Sequence, residues 1–293
     1  VRRASPPEGT RAPASGKAET GQDRPSCTDP ALLAEARRTT ERVARTFALA
    51  CRLLPRTVRD DVYLLYLVFR TLDDLVDHGR PEAEPRLVEV ERWARGGRPG
   101  SREARVLHVV AGRHPLPRHA ILDFCAGMRD DLEGRTIATE PELDGYCYRV
   151  AGTVGIVMAA VLGTRTPAAE RHAAALGMAM QRTNILRDID EDLATGRVYL
   201  ARETLDRYGS FAPGAREALV RDQIARADAL YDVGVEGIPL LQHGRRAVAA
   251  AAGMYREILR QIEREGYGRE PGRAVVPRGR KLAVAGRWAI AGP

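Results

Sequence analysis

The sequence predicts an all-α fold in a single domain. From Asp29-Pro30 onward, apolar residues recur at spacings of three and four, the period of a helix with one buried face. Long alternating runs of β-branched residues are missing, and glycine and proline cut the chain at helix-length intervals. With 293 residues, 44% hydrophobic and 29% charged, the chain can fill one large core.

The elements follow in order. Asp29-Pro30 is a good helix start, and the helix it opens is expected over 30–53, ending before Pro55. A second is expected over 57–78, ahead of Gly79-Arg80-Pro81, and a third over 84–95, closed by Gly96-Gly97. Helices over 101–113 and 117–133 flank the Pro115–Pro117 break. Longer ones are expected over 141–163 and 167–194, then a short piece over 201–207. Pro213-Gly214 separates this from helices over 215–236, 239–267 and 279–290. No period of 20–50 residues marks a repeat array. Residues 1–29 are rich in Pro, Gly, Ser and Arg without an apolar segment, and read as a disordered leader before a domain at 30–290.

Cys27, Cys51, Cys125 and Cys147 are scattered and form no CxxC pair, which fits a reducing, cytoplasmic setting. No run of eighteen apolar residues is present, so no transmembrane span is expected. The net charge of +7 is uneven. Arg269, Arg273, Arg278, Arg280, Lys281 and Arg287 against Glu270 alone place +5 of it at the C-terminus. Such a tail is either a solvated segment or a binder of anions, including the inner face of a membrane. No nucleic-acid-binding signature accompanies it, and no nucleic-acid partner is expected.

Two segments carry an unusual pattern. In 63–77, Tyr63, Tyr66, Arg70, Asp73 and Asp77 step by three and four and form one polar stripe. In 181–200, Gln181, Asn184, Asp188 and Asp192 do the same. Each stripe is flanked by apolar residues such as Leu72, Val76, Ile185 and Ile189. These are either solvated faces of surface helices or buried carboxylate pairs. Repulsion at i, i+4 costs only about 0.2–0.5 kcal/mol on an exposed helix, which permits the first. The apolar surroundings favour the second, where desolvation demands compensation by a divalent cation. Carboxylates without histidine or thiolate suit Mg²⁺, or Mn²⁺, bridging to phosphate oxygens. Two such pairs facing each other beside an apolar channel suit the ionisation of a prenyl diphosphate.

The motifs RTLDDLVD (70–77), YCYRVAGTVG (146–155), QRTNILRDIDEDLATGRVYL (181–200) and YREILRQIEREGYG (255–268) resemble the signatures of the squalene/phytoene synthase family. The resemblance runs from about Ala44 to Lys281, and the run from Asn184 to Leu200 is most similar to the bacterial phytoene-forming branch. It implies an isoprenoid-synthase-type bundle around a central apolar cavity. It also implies head-to-head joining of two prenyl diphosphates through a cyclopropyl diphosphate, with two geranylgeranyl diphosphates giving phytoene. By resemblance, Asp73 and Asp77 form one metal-binding pair and Asp188 and Asp192 the other. Gln181 and Asn184 are polar groups near the diphosphates, and Arg70 and Arg187 basic ones. Tyr66, Tyr146 and Tyr255 supply hydroxyls around the reacting centre, and Phe47 an aromatic face for a cation. Thr46, Cys51, Gly152, Gly155 and Arg273 are substrate-side positions: Thr46 as a retained hydroxyl, Cys51 as a small residue deepening the tunnel, the glycines as a track for the prenyl chain, Arg273 as a diphosphate contact. Asp74, Asp131 and Glu191 rank below the four main aspartates. Ala44 departs from the family, which often has a hydroxyl residue there.

Three readings compete with phytoene synthesis. A C30 squalene or dehydrosqualene synthase would use farnesyl diphosphate, and squalene formation would need NADPH, which is otherwise not expected. A cyclase would ionise one prenyl diphosphate. A non-catalytic binder would be marked by loss of aspartates, and all four are present. Oligomeric state has no sequence signal.

Overall fold

The structure is a computed structural model that describes residues 29–291, and the expected leader therefore lies, but for Asp29, outside the described residues. Thirteen α-helices follow: α1 (Pro30–Val43), α2 (Arg45–Cys51), α3 (Arg56–Asp77), α4 (Ala83–Ala94), α5 (Arg102–Ala111), α6 (Arg118–Leu132), α7 (Glu140–Cys147), α8 (Thr153–Leu162), α9 (Ala169–Ala194), α10 (Arg202–Tyr208), α11 (Glu217–Glu236), α12 (Arg245–Arg264) and α13 (Arg278–Ala291). Among the described residues there is no strand beyond an isolated Thr164–Leu241 bridge. The all-α expectation holds.

Local chemistry sets several of the boundaries. The Asp29 carboxylate accepts from the Ala31 N–H at 2.9 Å with Pro30 in the first turn, as the sequence predicts. Ser101 and Thr139 cap α5 and α7 in the same way. Three expected helices depart from a single regular α-helix. The one over 30–53 breaks at Ala44, whose backbone (φ −120, ψ 61) is non-helical and gives two helices instead of one. The one over 141–163 is continuous but contains a π-helical stretch at Tyr148–Gly152 between α7 and α8. The one over 239–267 begins with a 3₁₀ turn at Ile238–Leu240. It restarts after Gly244, which sits at φ +74 as the residue before α12.

Among the described residues two large apolar clusters and one small one form the core. Leu65 (α3), Leu87 (α4), Leu107 (α5) and Ile121 (α6) anchor the first. Leu143 (α7), Leu219 and Tyr231 (α11) and Leu259 (α12) anchor the second. Burial of each such side chain stabilises the fold by about 1.5–3 kcal/mol. Helices α8 and α9 meet backbone to backbone between the clusters. A Cβ on Gly155 would lie 2.3 Å from the Ala173 carbonyl oxygen, and one on Gly177 2.3 Å from that of Ala151. The helix over Glu140–Leu162, with a mean hydropathy of 1.4 in its most apolar window, is long and apolar enough to cross a membrane. No run of eighteen apolar residues had revealed it. Here it packs on α6 and α9 and contributes Leu143, Ile156 and Val157 to the core.

Candidate active site

The polar stripes on α3 and α9 face the same space. Tyr66, Arg70, Asp73 and Asp77 from α3 and Gln181, Asn184, Arg187 and Asp188 from α9 line one cavity of about 790 Å³. Phe47 from α2, Tyr255 from α12 and Arg273 from the α12–α13 connection complete its polar end. The remaining wall is apolar, with Phe69, Phe124, Val154, Met158, Leu162 and Met180 among its residues. Its volume is ordinary for a small-molecule site. The rings of Phe47 and Tyr66 lie 5.2 Å apart in a tilted pair on this wall.

Guanidinium groups hold the carboxylates. Arg70 bonds Asp73 at 3.0 Å and also Asp74. Arg187 makes a two-pronged contact with Asp188 at 2.8 and 2.6 Å. Arg273 approaches the same Asp188 at 3.1 Å and Glu191 at 3.2 Å. Glu191 thereby joins the cavity wall despite its lower rank in the sequence. Gly272 donates its N–H to Asp190 at 2.8 Å and fixes the strand of chain that carries Arg273.

Burial leaves several acids short of compensation. The accessible part of Asp73 opens into the cavity, and burial together with Asp77 pushes its carboxyl up to about 6 against the pull of Arg70. Burial and Asp188 push Asp192 up to about 6. Asp131, on α6, rises to about 7 through burial and the charges of Asp77 and Asp73, although the Tyr146 hydroxyl bonds to it and opposes the shift. Asn184 adds a buried carbonyl oxygen with no hydrogen-bond partner. Under-compensated carboxylates beside an orphaned amide oxygen form an all-oxygen donor set that fits Mg²⁺. Among the described residues no three His, Cys, Asp or Glu side chains cluster tightly enough to hold a metal alone. Carboxylate pairs of this kind hold Mg²⁺ with phosphate oxygens completing its shell.

Other expected residues stand off the cavity wall. Tyr146 lies behind it, donating to Asp131 at 3.2 Å and stacking on Tyr199 at 5.5 Å between ring centres. Asp192 borders a separate small cleft with Arg197 and Tyr199. Thr46 turns its hydroxyl to the Lys281 ammonium, 3.5 Å away. Cys51 is enclosed in the core, where burial pushes its thiol up to about 12, and it does not border the tunnel. Gly152 is likewise buried, against the Ala174 carbonyl and the Tyr148 and Met178 side chains, while Gly155 reaches the wall. The close approach of α8 to α9 is what Gly155 most directly permits. Sequence reasoning passed over Arg197, whose guanidinium binds the Asp77 carboxylate at 2.6 Å and its carbonyl oxygen at 2.9 Å. The GRVYL motif that contains it was the available signal, but its partner lies 120 positions away.

The squalene/phytoene synthase family profile matches residues 40–280. Over 275 residues the chain is 34% identical to a 15-cis-phytoene synthase of Synechococcus elongatus, covering 85% of this chain and 89% of the relative. Over 234 residues it is 41% identical to a phytoene synthase of Thermus thermophilus, covering 76% and 80%. Among solved structures it is similar to a dehydrosqualene synthase in complex with ligand. That match has a TM-score of 0.80 and 30% identity, covering 88% of this chain and 95% of the other. A squalene synthase from Alicyclobacillus acidocaldarius matches with a TM-score of 0.71 and 27% identity, covering 81% and 95%.

Proposed function

This chain belongs to the squalene/phytoene synthase family, and we propose that within it the protein is a phytoene synthase. It is a prenyltransferase of the carotenoid branch of isoprenoid metabolism. It joins two geranylgeranyl diphosphates head to head through prephytoene diphosphate. The observation that carries this reading is one cavity with carboxylates of two helices at its polar end, Asp73 and Asp77 on α3 and Asp188 and Glu191 on α9, and a long apolar wall beyond. Relatives named phytoene synthase, matched over most of their length, support the C20 substrate.

The chain's own groups divide the work. Asp73 and Asp77 on α3, with Asp188 and Asp192 on α9, would hold Mg²⁺, aided by Asn184. Held there, the metal would supply positive charge to neutralise a departing diphosphate. Arg70, Arg187 and Arg273 surround that anion and keep it from recombining with the cation. The Phe47–Tyr66 pair presents π faces to the cation, and the apolar wall excludes water that would capture it as an alcohol. Tyr255 and Gln181 orient the polar end, and Tyr146 acts from behind, through Asp131. The C40 cation ends by losing a proton to the released diphosphate and forming the central double bond, a step that consumes no NADPH. Work in the cytoplasm, beside the inner face of the membrane that receives the product, is part of the same proposal.

Incubation of the protein with Mg²⁺ and geranylgeranyl or farnesyl diphosphate, each with and without NADPH, tests it. The expected product is a C40 hydrocarbon from the C20 substrate, independent of NADPH. A C30 hydrocarbon alone, or a cyclic C15 or C20 product, would replace the proposal by squalene-type coupling or by cyclisation.

A further inference from the structure

The C-terminal helix carries a face that nothing in the described fold covers. α13 packs on α12 through Trp288, whose indole lies so close to Gly253 that a Cβ there would come within 2.6 Å of it. Ala285 packs beside Ala250, Ala251 and Met254. On the outward side Leu282, Gly286 and Ile290 recur every fourth residue, with Gly279 and Ala283 beside them. Leu282 is 58% exposed and Ile290 88%, and Val275, just before the helix, is 65% exposed. Arg280 and Arg287, seven residues apart, run along one flank of this apolar arc, and Arg278 borders the other. From Pro271 to Pro293 the sequence contains no acid. The ion pair of Arg280 with Glu257 is long, at 3.7 Å.

The helix that carries this face adjoins the mouth of the cavity through its Lys281 side. Val43, Asp77, Glu191 and Arg273 line the cavity and are themselves exposed, which puts the opening among the C-terminal parts of α1, α3 and α9 and the α12–α13 connection. Lys281, next to Leu282, reaches across to Thr46 on α2 and lies within electrostatic reach of Arg45, Arg187 and Arg273. α13 therefore forms part of the rim.

We infer that the outward face of α13, with Val275, docks on an anionic lipid bilayer and seats the cavity mouth against it. An apolar stripe flanked by arginines lies in the plane of a headgroup region, apolar side down, and the arginines find anionic lipid beside them. Charge complementarity selects that occupant. A second copy of the same acid-free face would be repelled, and a nucleic acid would leave Leu282 and Ile290 unused. The purpose of the contact, transfer of prenyl chains between bilayer and cavity, rests on the proposed function, but its readout needs no substrate.

Flotation of the full chain with phosphatidylcholine vesicles, with and without a one-third share of phosphatidylglycerol, tests it. The protein should float with the anionic vesicles and not with the neutral ones. Replacing the three arginines together (R278Q, R280Q, R287Q) should lower partitioning about a hundredfold, at about fivefold each. The pair L282S and I290S should also weaken it, showing that the contact is more than charge. Both variants should keep wild-type helical content and Mg²⁺-dependent diphosphate release in detergent. Failure of the wild type to bind anionic vesicles, or binding that both variants leave unchanged, would overturn the inference. So would a dimer in sedimentation velocity, or affinity for duplex DNA equal to that for the vesicles, if the same substitutions abolished it. Flotation without any diphosphate release from the wild type would sink the proposed activity and leave the docking surface standing.

Discussion

Arg197 joins the two acidic helices, donating to the Asp77 carboxylate at 2.6 Å and to the Asp77 carbonyl oxygen at 2.9 Å from the turn that follows α9. The last carboxylate of the α3 stripe is thereby tied to the end of the α9 stripe, and Tyr199 lies 3.4 Å from the same guanidinium. The bridge is largely solvated, so it stabilises the fold by about 1 kcal/mol or less. In the proposed metal clamp its role is to set the distance between carboxylate pairs. Arg197→Gln should lower kcat/KM about 10–100-fold, as loss of a supporting contact to a metal ligand does. Its Tm should fall by no more than about 2–4 °C. A large Tm loss with activity preserved in the folded fraction would make Arg197 a purely structural residue.

Asp73 and Asp188 sit on opposite helices, and each is expected to be indispensable. Asp73→Asn and Asp188→Asn should each reduce Mg²⁺-dependent turnover by at least about a hundredfold, in the range seen when one preorganised electrostatic group is removed. Asp73→Asn should also unfold at a higher temperature than wild type in EDTA, because it removes a carboxylate that burial and Asp77 oppose. Circular dichroism melts and product extraction from the same preparations separate the two effects.

Proton linkage gives a third expectation. Asp73 and Asp192 rise to about 6 and Asp131 to about 7 in the fold, above the ordinary carboxylate value near 4. Between about pH 4 and 7 the folded protein therefore binds more protons than the unfolded chain. The stability these acids contribute is full at low pH and is lost as pH rises through 6 and 7. Their contribution to metal-free Tm should decline over that window, and Asp131→Asn should flatten the decline. Mg²⁺ requires the ionised carboxylates, so the Tm gain on adding it with inorganic diphosphate should grow from about pH 5.5 to 8. A gain that shrinks over that range would contradict the assignment of Asp73 and Asp192.

Close packing of α8 on α9 predicts a cost at Gly155. A Cβ there would meet the Ala173 carbonyl oxygen at 2.3 Å, and backbone does not yield as a flexible side chain does. Gly155→Ala should destabilise the protein by about 1–3 kcal/mol in urea unfolding, the usual cost of overpacking. No change in the midpoint would mean that the two helices can part freely.

Much of the site was legible because a helix repeats every three to four residues. Tyr66, Arg70, Asp73 and Asp77 had to share one face of α3, and Gln181, Asn184 and Asp188 one face of α9, whatever the tertiary structure. What the helices face was not encoded locally. The Arg197–Asp77 contact spans 120 positions, and the pairing of Arg273 with Asp188 ties α9 to a connection without periodicity. Ala44 is a strong helix former, so its break between α1 and α2 is tertiary structure overriding propensity. The π stretch at Tyr148–Gly152 and the seclusion of Cys51 from the cavity have no local signature either.

In the proposed site α3 and α9 together grip one metal-bound diphosphate. Calorimetric titration with a non-ionising thio analogue of geranylgeranyl diphosphate, in the presence and absence of Mg²⁺, tests this. Wild type should bind only with Mg²⁺, and Asp73→Asn and Asp188→Asn should each weaken binding about tenfold or more. The double variant should lose less than the sum of the two, because both carboxylates act on one ligand. Equal affinity without Mg²⁺, or strictly additive losses, would show that the two helices do not share that ligand.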